Sequence, residues 1–355
     1  MERSLLKLLL YALALLSFFV VLPLSPASQA QTRERQFGRL TVNVERGVRI
    51  KVGNRTTGRI TINAWDRDVI EARAVSLRGD EVVIVKRSEE SGVKRFFFKA
   101  DYADLEHPEA PNTHVGSPPE VDGKSVKVHL ELNVPRYTEI ELIEVRSSDV
   151  EVSDVNTPIT VSGYRSTVIL KRVGAAEVQT RTGNVEINGV SGLASVVTTS
   201  GAIRVNNSKS LIHAVSIAGP IEVKCSLGRV DVSNTEAPIE LANIKGDVDA
   251  IATNSSVKFT GGLREGARYH LKSMSGRVEM VLPANTRGFN AILSSYRGRV
   301  ETDFKLNTKQ AAAHGTQNRR LVGHYGNGNT QVSLDSFEGL VRLTKIDGPS
   351  IPVCK

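Results

Sequence analysis

Cysteine is nearly absent: Cys225 and Cys354 are the only two in 355 residues, too few for a disulfide scaffold. Cys225 follows Ile221 and Val223 at period two, which places it as a buried thiol, and a bridge to Cys354 stays open as the alternative. Aromatic residues make up only 5%, and no Lys/Arg cluster interleaves with them, which excludes the usual nucleic-acid surface. No Gly-x-Ser-x-Gly, His-Glu-x-x-His or Walker-type motif occurs, so the chain offers no familiar catalytic or phosphate-binding centre. Cofactors are not expected, nor is a metal.

Long apolar runs are confined to the start. Arg3 and Lys7 precede an apolar stretch from Leu8 to Leu22, then come Pro23, Pro26 and Ser28-Gln29-Ala30, the order of a secretory signal cleaved near Ala30. An uncleaved anchor is the competing reading, because the run approaches the roughly 17 to 25 residues of a membrane span. Residues 1–30 are therefore read as a signal peptide and the mature chain as extracytoplasmic, in the periplasm or at the cell surface. Losing Glu2, Arg3 and Lys7 lowers the formal charge from +8 to +7. That modest surplus favours anionic partners without sequence specificity.

What is abundant is a short repeated phrase: a turn residue, then apolar-polar-apolar. It reads Gly183-Asn184-Val185-Glu186-Ile187, Gly201-Ala202-Ile203-Arg204-Val205, Gly219-Pro220-Ile221-Glu222-Val223 and Ala237-Pro238-Ile239-Glu240-Leu241. Val185, Ile203, Ile221, Ile239 and Val257 are each 18 apart, and Val278 and Val300 follow at 21 and 22. A fixed spacing of short strands means stacked slices, since such strands bury a face only against their neighbours. A second β-prone run accompanies each phrase, for example Val178-Gln179-Thr180 and Val230-Asp231-Val232. Three hexapeptides would also give 18, but Ser191, Lys209, Ser233 and Lys245 break the every-sixth aliphatic rule. The expected fold is all-β: a single-stranded parallel β-solenoid of roughly 18-residue coils, right-handed by the general crossover preference.

Residues 31–130 are read as an N-terminal β region that starts and caps the stack. Within it Val82 to Ala100 can form a hairpin, and 101–123, rich in Pro, Asp, Glu and His, is expected to be a loop. Residues 131–347 hold the repeats and 348–355 a tail. Gly323 to Asn329 is glycine-rich without a following helix pattern, hence a turn or a solenoid insertion rather than a phosphate loop. His107 and His114 in the loop lack further ligands at metal spacing.

These motifs resemble the bacterial putative-adhesin, or toast-rack, β-strand repeat family, a domain-of-unknown-function group. The likeness rests on Gly58 to Asp66, on Leu130-Glu131-Leu132-Asn133-Val134-Pro135, on the Gly-x-Ile-x-Val phrases, on Leu282-Pro283 with Ala291-Ile292-Leu293, and on Phe337 to Leu343. It implies a right-handed solenoid in an exported or envelope setting, with roles in surface attachment or envelope stress, and it brings no catalytic residues. The 101–123 loop and the tail after Lys345 depart from the pattern.

In a stack, equivalent positions of successive coils form columns about 4.8 Å apart. The outward column of the first strand reads Glu151, Ile169, Glu186, Arg204, Glu222, Glu240, Lys258, Glu279, Glu301. Glu222 beside Glu240 approaches the spacing of a retaining glycosidase, but Arg204 and Lys258 flank the pair as a charge ladder would. On the second strand one outward column holds His213, Asp231, Asp249 and His270, a polar row with ligand or acid/base chemistry whose bland reading is a solvated strip. The next carries Val197, Val215 and Ile251, with Ile217 beside them, an apolar patch expected to bind a partner unless the loop covers it or the strand parity is inverted.

The chain is thus expected to be a non-catalytic envelope or cell-surface protein with an adhesin-like or scaffold role. Its partners would be envelope polysaccharide, an anionic surface or another envelope protein, and its oligomeric state is open. A polysaccharide lyase or hydrolase on a β-helix is the first alternative, although the corners are short for a catalytic groove. An envelope-stress sensor, implied by the resemblance, is the second.

Overall fold

The computed structural model describes residues 35–76, 81–90, 93–102, 120–121, 124–125, 127–308, 319–346 and 354. The signal segment, His107, His114 and most of the 101–123 loop and of the tail lie outside them. Every described element is a strand. The chain opens with β1 (Arg35–Asn43), β2 (Arg49–Asn54), β3 (Thr57–Trp65), β4 (Val69–Ser76), β5 (Glu81–Glu90) and β6 (Val93–Tyr102). The short pair β7 (Glu120–Val121) and β8 (Lys124–Ser125) leads to β9 (Lys127–Pro135), β10 (Glu139–Val145) and β11 (Ser147–Ser153). A regular series follows: β12 (Pro158–Arg165), β13 (Val168–Val173), β14 (Ala175–Thr182), β15 (Val185–Val190), β16 (Ala194–Ser200), β17 (Ile203–Ser208) and β18 (Ile212–Ser216). It continues with β19 (Ile221–Ser226), β20 (Val230–Asn234), β21 (Ile239–Ile244), β22 (Val248–Ala252), β23 (Val257–Thr260), β24 (Arg268–Ser273) and β25 (Val278–Pro283). The last are β26 (Gly288–Ser295), β27 (Val300–Thr302), β28 (Arg320–Gly326), β29 (Gln331–Ser336) and β30 (Val341–Ile346).

Two open sheets of 14 strands share all of these but β7 and β8, which pair with each other, one sheet taking the odd and the other the even members of the regular series. Sheet one runs β1-β4-β9-β3-β11, then odd strands to β25, then β30-β27; sheet two runs β5-β6-β2-β10, then even strands to β24, then β29-β26-β28. Pairing is parallel through the regular part, with Val185, Ile203, Ile221, Ile239 and Val257 each paired with the next. Alternation explains the strands: Ile203 and Val205 are buried while Arg204 is exposed, and in sheet two Val196 and Ala214 are buried while Val197 and His213 are exposed. Inward residues of both sheets join in one core. Where the loop between β23 and β24 lengthens the coil, Tyr269 fills the extra space. Its ring meets Phe259 edge to face at 5.1 Å, and its hydroxyl accepts from the Arg264 N–H and donates to the Ile244 carbonyl.

The corners have their own chemistry. Ser216, Ser273, Ser295 and Ser336 sit buried at the ends of sheet-two strands, and each hydroxyl accepts the N–H of the glycine three residues on: Gly219, Gly276, Gly298 and Gly339. These are side-chain-capped turns; in the coils between Ser216 and Ser273, Asn234 accepts the Ala237 N–H in the same way and Ala252 supplies no cap. Gly219 lies against the Gly201 backbone, where a Cβ would fall 1.8 Å from the carbonyl oxygen. At the sheet-one ends a second column, Asp154, Arg172, Gly189, Asn207, Cys225 and Asn243, takes left-handed backbone, φ between 52° and 84°.

That conformation corrects the reading of Cys225. Rather than continuing inward at period two, the chain bulges there and turns the side chain out, and the half-buried Cys225 is disulfide-bonded to Cys354.

Both ends are built by insertion. At the N-terminal end β9 slips between β3 and the antiparallel β4, while β6 pairs parallel with β2 and forms the expected hairpin with β5. At the C-terminal end β29 and β30 insert between β24/β25 and β26/β27, and β28 closes sheet two antiparallel to β26. Of the glycine-rich Gly323–Asn329 stretch, expected to be a turn or an insertion, Gly323 to Gly326 form the end of β28 and only Asn327 to Asn329 turn toward β29. This order corrects the outward column of sheet one: Arg342 stands between Glu279 and Glu301.

Candidate functional site

The outer surfaces of the two sheets differ in kind. Sheet one presents a ladder of side chains, charged except at Ile169, in register from Glu151 and Ile169 through Glu186, Arg204, Glu222, Glu240, Lys258, Glu279 and Arg342 to Glu301. Glu222 is held by Arg204 at 3.4 Å and by Lys224, so Glu222 and Glu240 stand side by side as ladder members rather than across a cleft. A shallow cavity of about 490 Å³ beside Glu240, Lys258 and Lys345 lies on this face.

Sheet two is mixed outside: it has the ion pairs Arg49–Glu139 and Lys51–Glu141 toward its N-terminal end and carries most of the exposed apolar residues. Among the described residues every large exposed hydrophobic except Leu227 lies on its strands or directly before or after them: Tyr164, Leu193, Val197, Leu211, Ile217, Ile251, Met274, Ile292, Tyr296, Val322 and Phe337. Val197, Ile217 and Ile251 are 41%, 47% and 41% exposed, and Val215 between them is half-buried. Val178, Val196, Ala214, Val232 and Ala250 are all buried, so the parity that turns these side chains outward holds. The 101–123 loop, except 101–102 and 120–121, lies outside the described residues.

Several contributors were not legible in the sequence. Tyr296 and Phe337 stack at 4.8 Å with rings 10° apart, and the Arg297 guanidinium lies 5.3 Å over Phe337. Their adjacency depends on the inserted β29. Leu193 and Leu211 stand just before β16 and β18. Tyr164 carried a usable signal, since it continues the alternation of β12, and it takes the Arg181 guanidinium over its ring at 5.3 Å.

His213, Asp231, Asp249 and His270 form one register row, neighbour to neighbour. Only the last two bond: His270 Nδ1 lies 2.9 Å from Asp249 Oδ1, and its Nε2 lies 3.8 Å from Asp335. Asp335, which accepts from the Ser333 hydroxyl, arrives on β29 and was missed for that reason. Asp231 faces the Arg229 guanidinium at 3.6 Å. The four lie along an outer face rather than around a pocket, and among the described residues no group of three or more His, Cys, Asp or Glu is arranged to hold a metal ion. Nor is any described helix long and apolar enough to cross a membrane.

A family model described as Toastrack DUF4097 matches residues 37–344. The chain belongs to the Toastrack DUF4097 family. Solved structures similar to this Toastrack chain include a putative adhesin from Parabacteroides merdae, at 10% identity, covering 88% of this chain and 96% of that one, with TM-score 0.33. Another, from Parabacteroides distasonis, shares 10% identity over 89% and 98%, with TM-score 0.29. A putative cell adhesion protein from Clostridium sporogenes shares 9% over 88% and 100%, with TM-score 0.21. Likenesses this loose carry no residue to the Toastrack chain. No curated protein matches it.

Proposed function

We propose that the chain is a non-catalytic envelope or cell-surface protein with an adhesin-like role, exported by its N-terminal signal, and that the outer face of sheet two is its contact surface. In this reading the polypeptide winds as a right-handed solenoid with a regular coil of 18 residues, a rigid rod with one charged side and one side that also exposes apolar residues. The observation that carries it is the segregation of exposed large hydrophobics onto sheet two while sheet one carries charge. Large contiguous exposed apolar patches mark interaction sites more often than accident. The partner would be an envelope polysaccharide, an anionic surface or another envelope protein.

A polysaccharide lyase or hydrolase has one observation in its favour, His270 between Asp249 and Asp335. Co-sedimentation of the mature chain with envelope fractions and acidic polysaccharides, with the supernatant assayed for released sugar, separates the two. Saturable binding without product, weakened by Ile217→Asp, is expected. Sugar release that disappears in Asp231→Asn or His270→Gln would overturn the proposal in favour of an enzyme, and absence of binding to any fraction would remove the adhesin-like role.

A further inference from the structure

The polar row on the outer face of sheet two has an ordered charge sequence. Along the stack it runs Glu177, Ser195, His213, Asp231, Asp249, His270. Read from its midpoint, between β18 and β20, the row is complementary to its own reverse. His213 answers Asp231, Glu177 answers His270, and the remaining acid, Asp249, answers the neutral Ser195. In the neighbouring column the same centre sets Val197 against Ile251, Val215 against Ser233 and Gln179 against Lys272, one apolar pair and two mixed ones with no like charges opposed. A two-fold axis parallel to the strands and passing between β18 and β20 superposes these pairs and opposes no two like charges along the row.

We infer that the partner of this face is a second copy of the chain, packed sheet two against sheet two in a closed two-fold dimer. The inference rests on the contact-face reading above and supplies its occupant. Three physical points favour a second copy over another flat partner. An unrelated partner requires no reverse complementarity within the row, whereas an isologous interface requires just that. Parallel strands in register make a flat surface, and two such surfaces pack face to face about 10 Å apart, inclined by roughly 30°. The eight strands from β12 to β29, at about 4.8 Å each and about 20 Å long, offer roughly 700 to 800 Å² per partner, the size of a standard stable interface. The inclination displaces outlying pairs such as Glu177 with His270. It leaves His213 and Asp231, beside the axis, closest to register.

The adhesin-like role then becomes homophilic. Analytical ultracentrifugation of the purified mature chain tests it, with circular dichroism showing that each variant folds. The wild type is expected to be a dimer, and His213→Asp, which sets carboxylates against each other across the axis, to weaken it about tenfold or more. The swapped variant carrying both His213→Asp and Asp231→His is expected to recover most of that loss. Ile217→Asp is expected to give monomer. A wild type that stays monomeric at the highest soluble concentration, or a swap no better than the single variant, would overturn self-association. If such a monomer still binds envelope fractions lacking this chain, and Ile217→Asp abolishes that binding, the contact face survives with a different partner; if it binds nothing, both readings fall.

Discussion

Arg342 donates two hydrogen bonds to Glu301, at 3.0 and 2.6 Å, across 41 residues of sequence. The contact exists because β30 inserts between β25 and β27 and so places a guanidinium between Glu279 and Glu301. The Arg342 hydrogen bond, followed by that from Arg299, holds the Glu301 carboxyl below its ordinary value. A depressed carboxylate stabilises the fold above its unfolded value, and the contribution is lost as pH falls through the folded one. Arg342→Glu, which lines up three carboxylates, is expected to lower the melting temperature at neutral pH more than at acid pH. A thermal melt at both pH values checks this; an equal drop at both would show that packing rather than charge is responsible.

The insertion also marks where sequence reading stopped. Period-two alternation and the spacing of Val185, Ile203, Ile221, Ile239 and Val257 made the stack legible, because each strand carries its own burial pattern. Rung order did not follow from that pattern. Val300-Glu301-Thr302 and Val341-Arg342-Leu343 fit the same slot on β25, and the choice falls to β28, which must pair with β26 at an outer edge. Val197, Ile217 and Ile251 were therefore visible as a patch, while the Tyr296–Phe337 stack and the approach of Asp335 to His270 were not.

The bond between Cys225 and Cys354 closes a loop of 129 residues. Cross-links of this kind stabilise by about 2 to 4 kcal/mol, mainly by restricting the unfolded chain. The oxidised protein is expected to show no titratable thiol before reduction. Cys225→Ser and Cys354→Ser are expected to lower stability equally and, combined, no further. A denaturant titration of the three variants checks this: a larger loss in Cys225→Ser than in Cys354→Ser would mean that Cys225 also stabilises through packing, and additive losses would show that the two residues act independently of a bond.

Gly219 has no room for a side chain: its Cβ would stand 1.8 Å from the Gly201 carbonyl oxygen and 2.3 Å from its carbon. Both obstacles are backbone of the adjacent coil, so relief requires the coils to part. Overpacking generally costs about 1 to 3 kcal/mol, and Gly219→Ala is expected at the upper end. Gly262 supplies the control, since its Cβ would meet only the Lys245 Nζ at 3.7 Å. Gly262→Ala is expected to be near neutral. Comparable losses in a chemical-denaturation series would point to glycine's backbone freedom rather than coil contact as the reason glycine stands at these corners.

Tyr137 donates its phenolic hydrogen to Asp68 Oδ1 at 2.7 Å. Burial first, and then the bond to that carboxylate, push the phenol up from 10.0 to about 12. The folded state therefore holds the proton more tightly than the unfolded chain does. The stabilisation is complete below the unfolded value and is lost as pH rises through about 12. Tyr269 is raised by burial as well, so ultraviolet titration is expected to show more than one tyrosine ionising late, and Tyr137→Phe to remove one of those steps and flatten the alkaline limb of the stability profile. Asp68→Asn takes away the carboxylate and leaves the burial. Because burial is the larger cause, it is expected to move the titration down only part of the way toward the ordinary phenol value, and a complete return would show that the Asp68 bond, not burial, holds the proton.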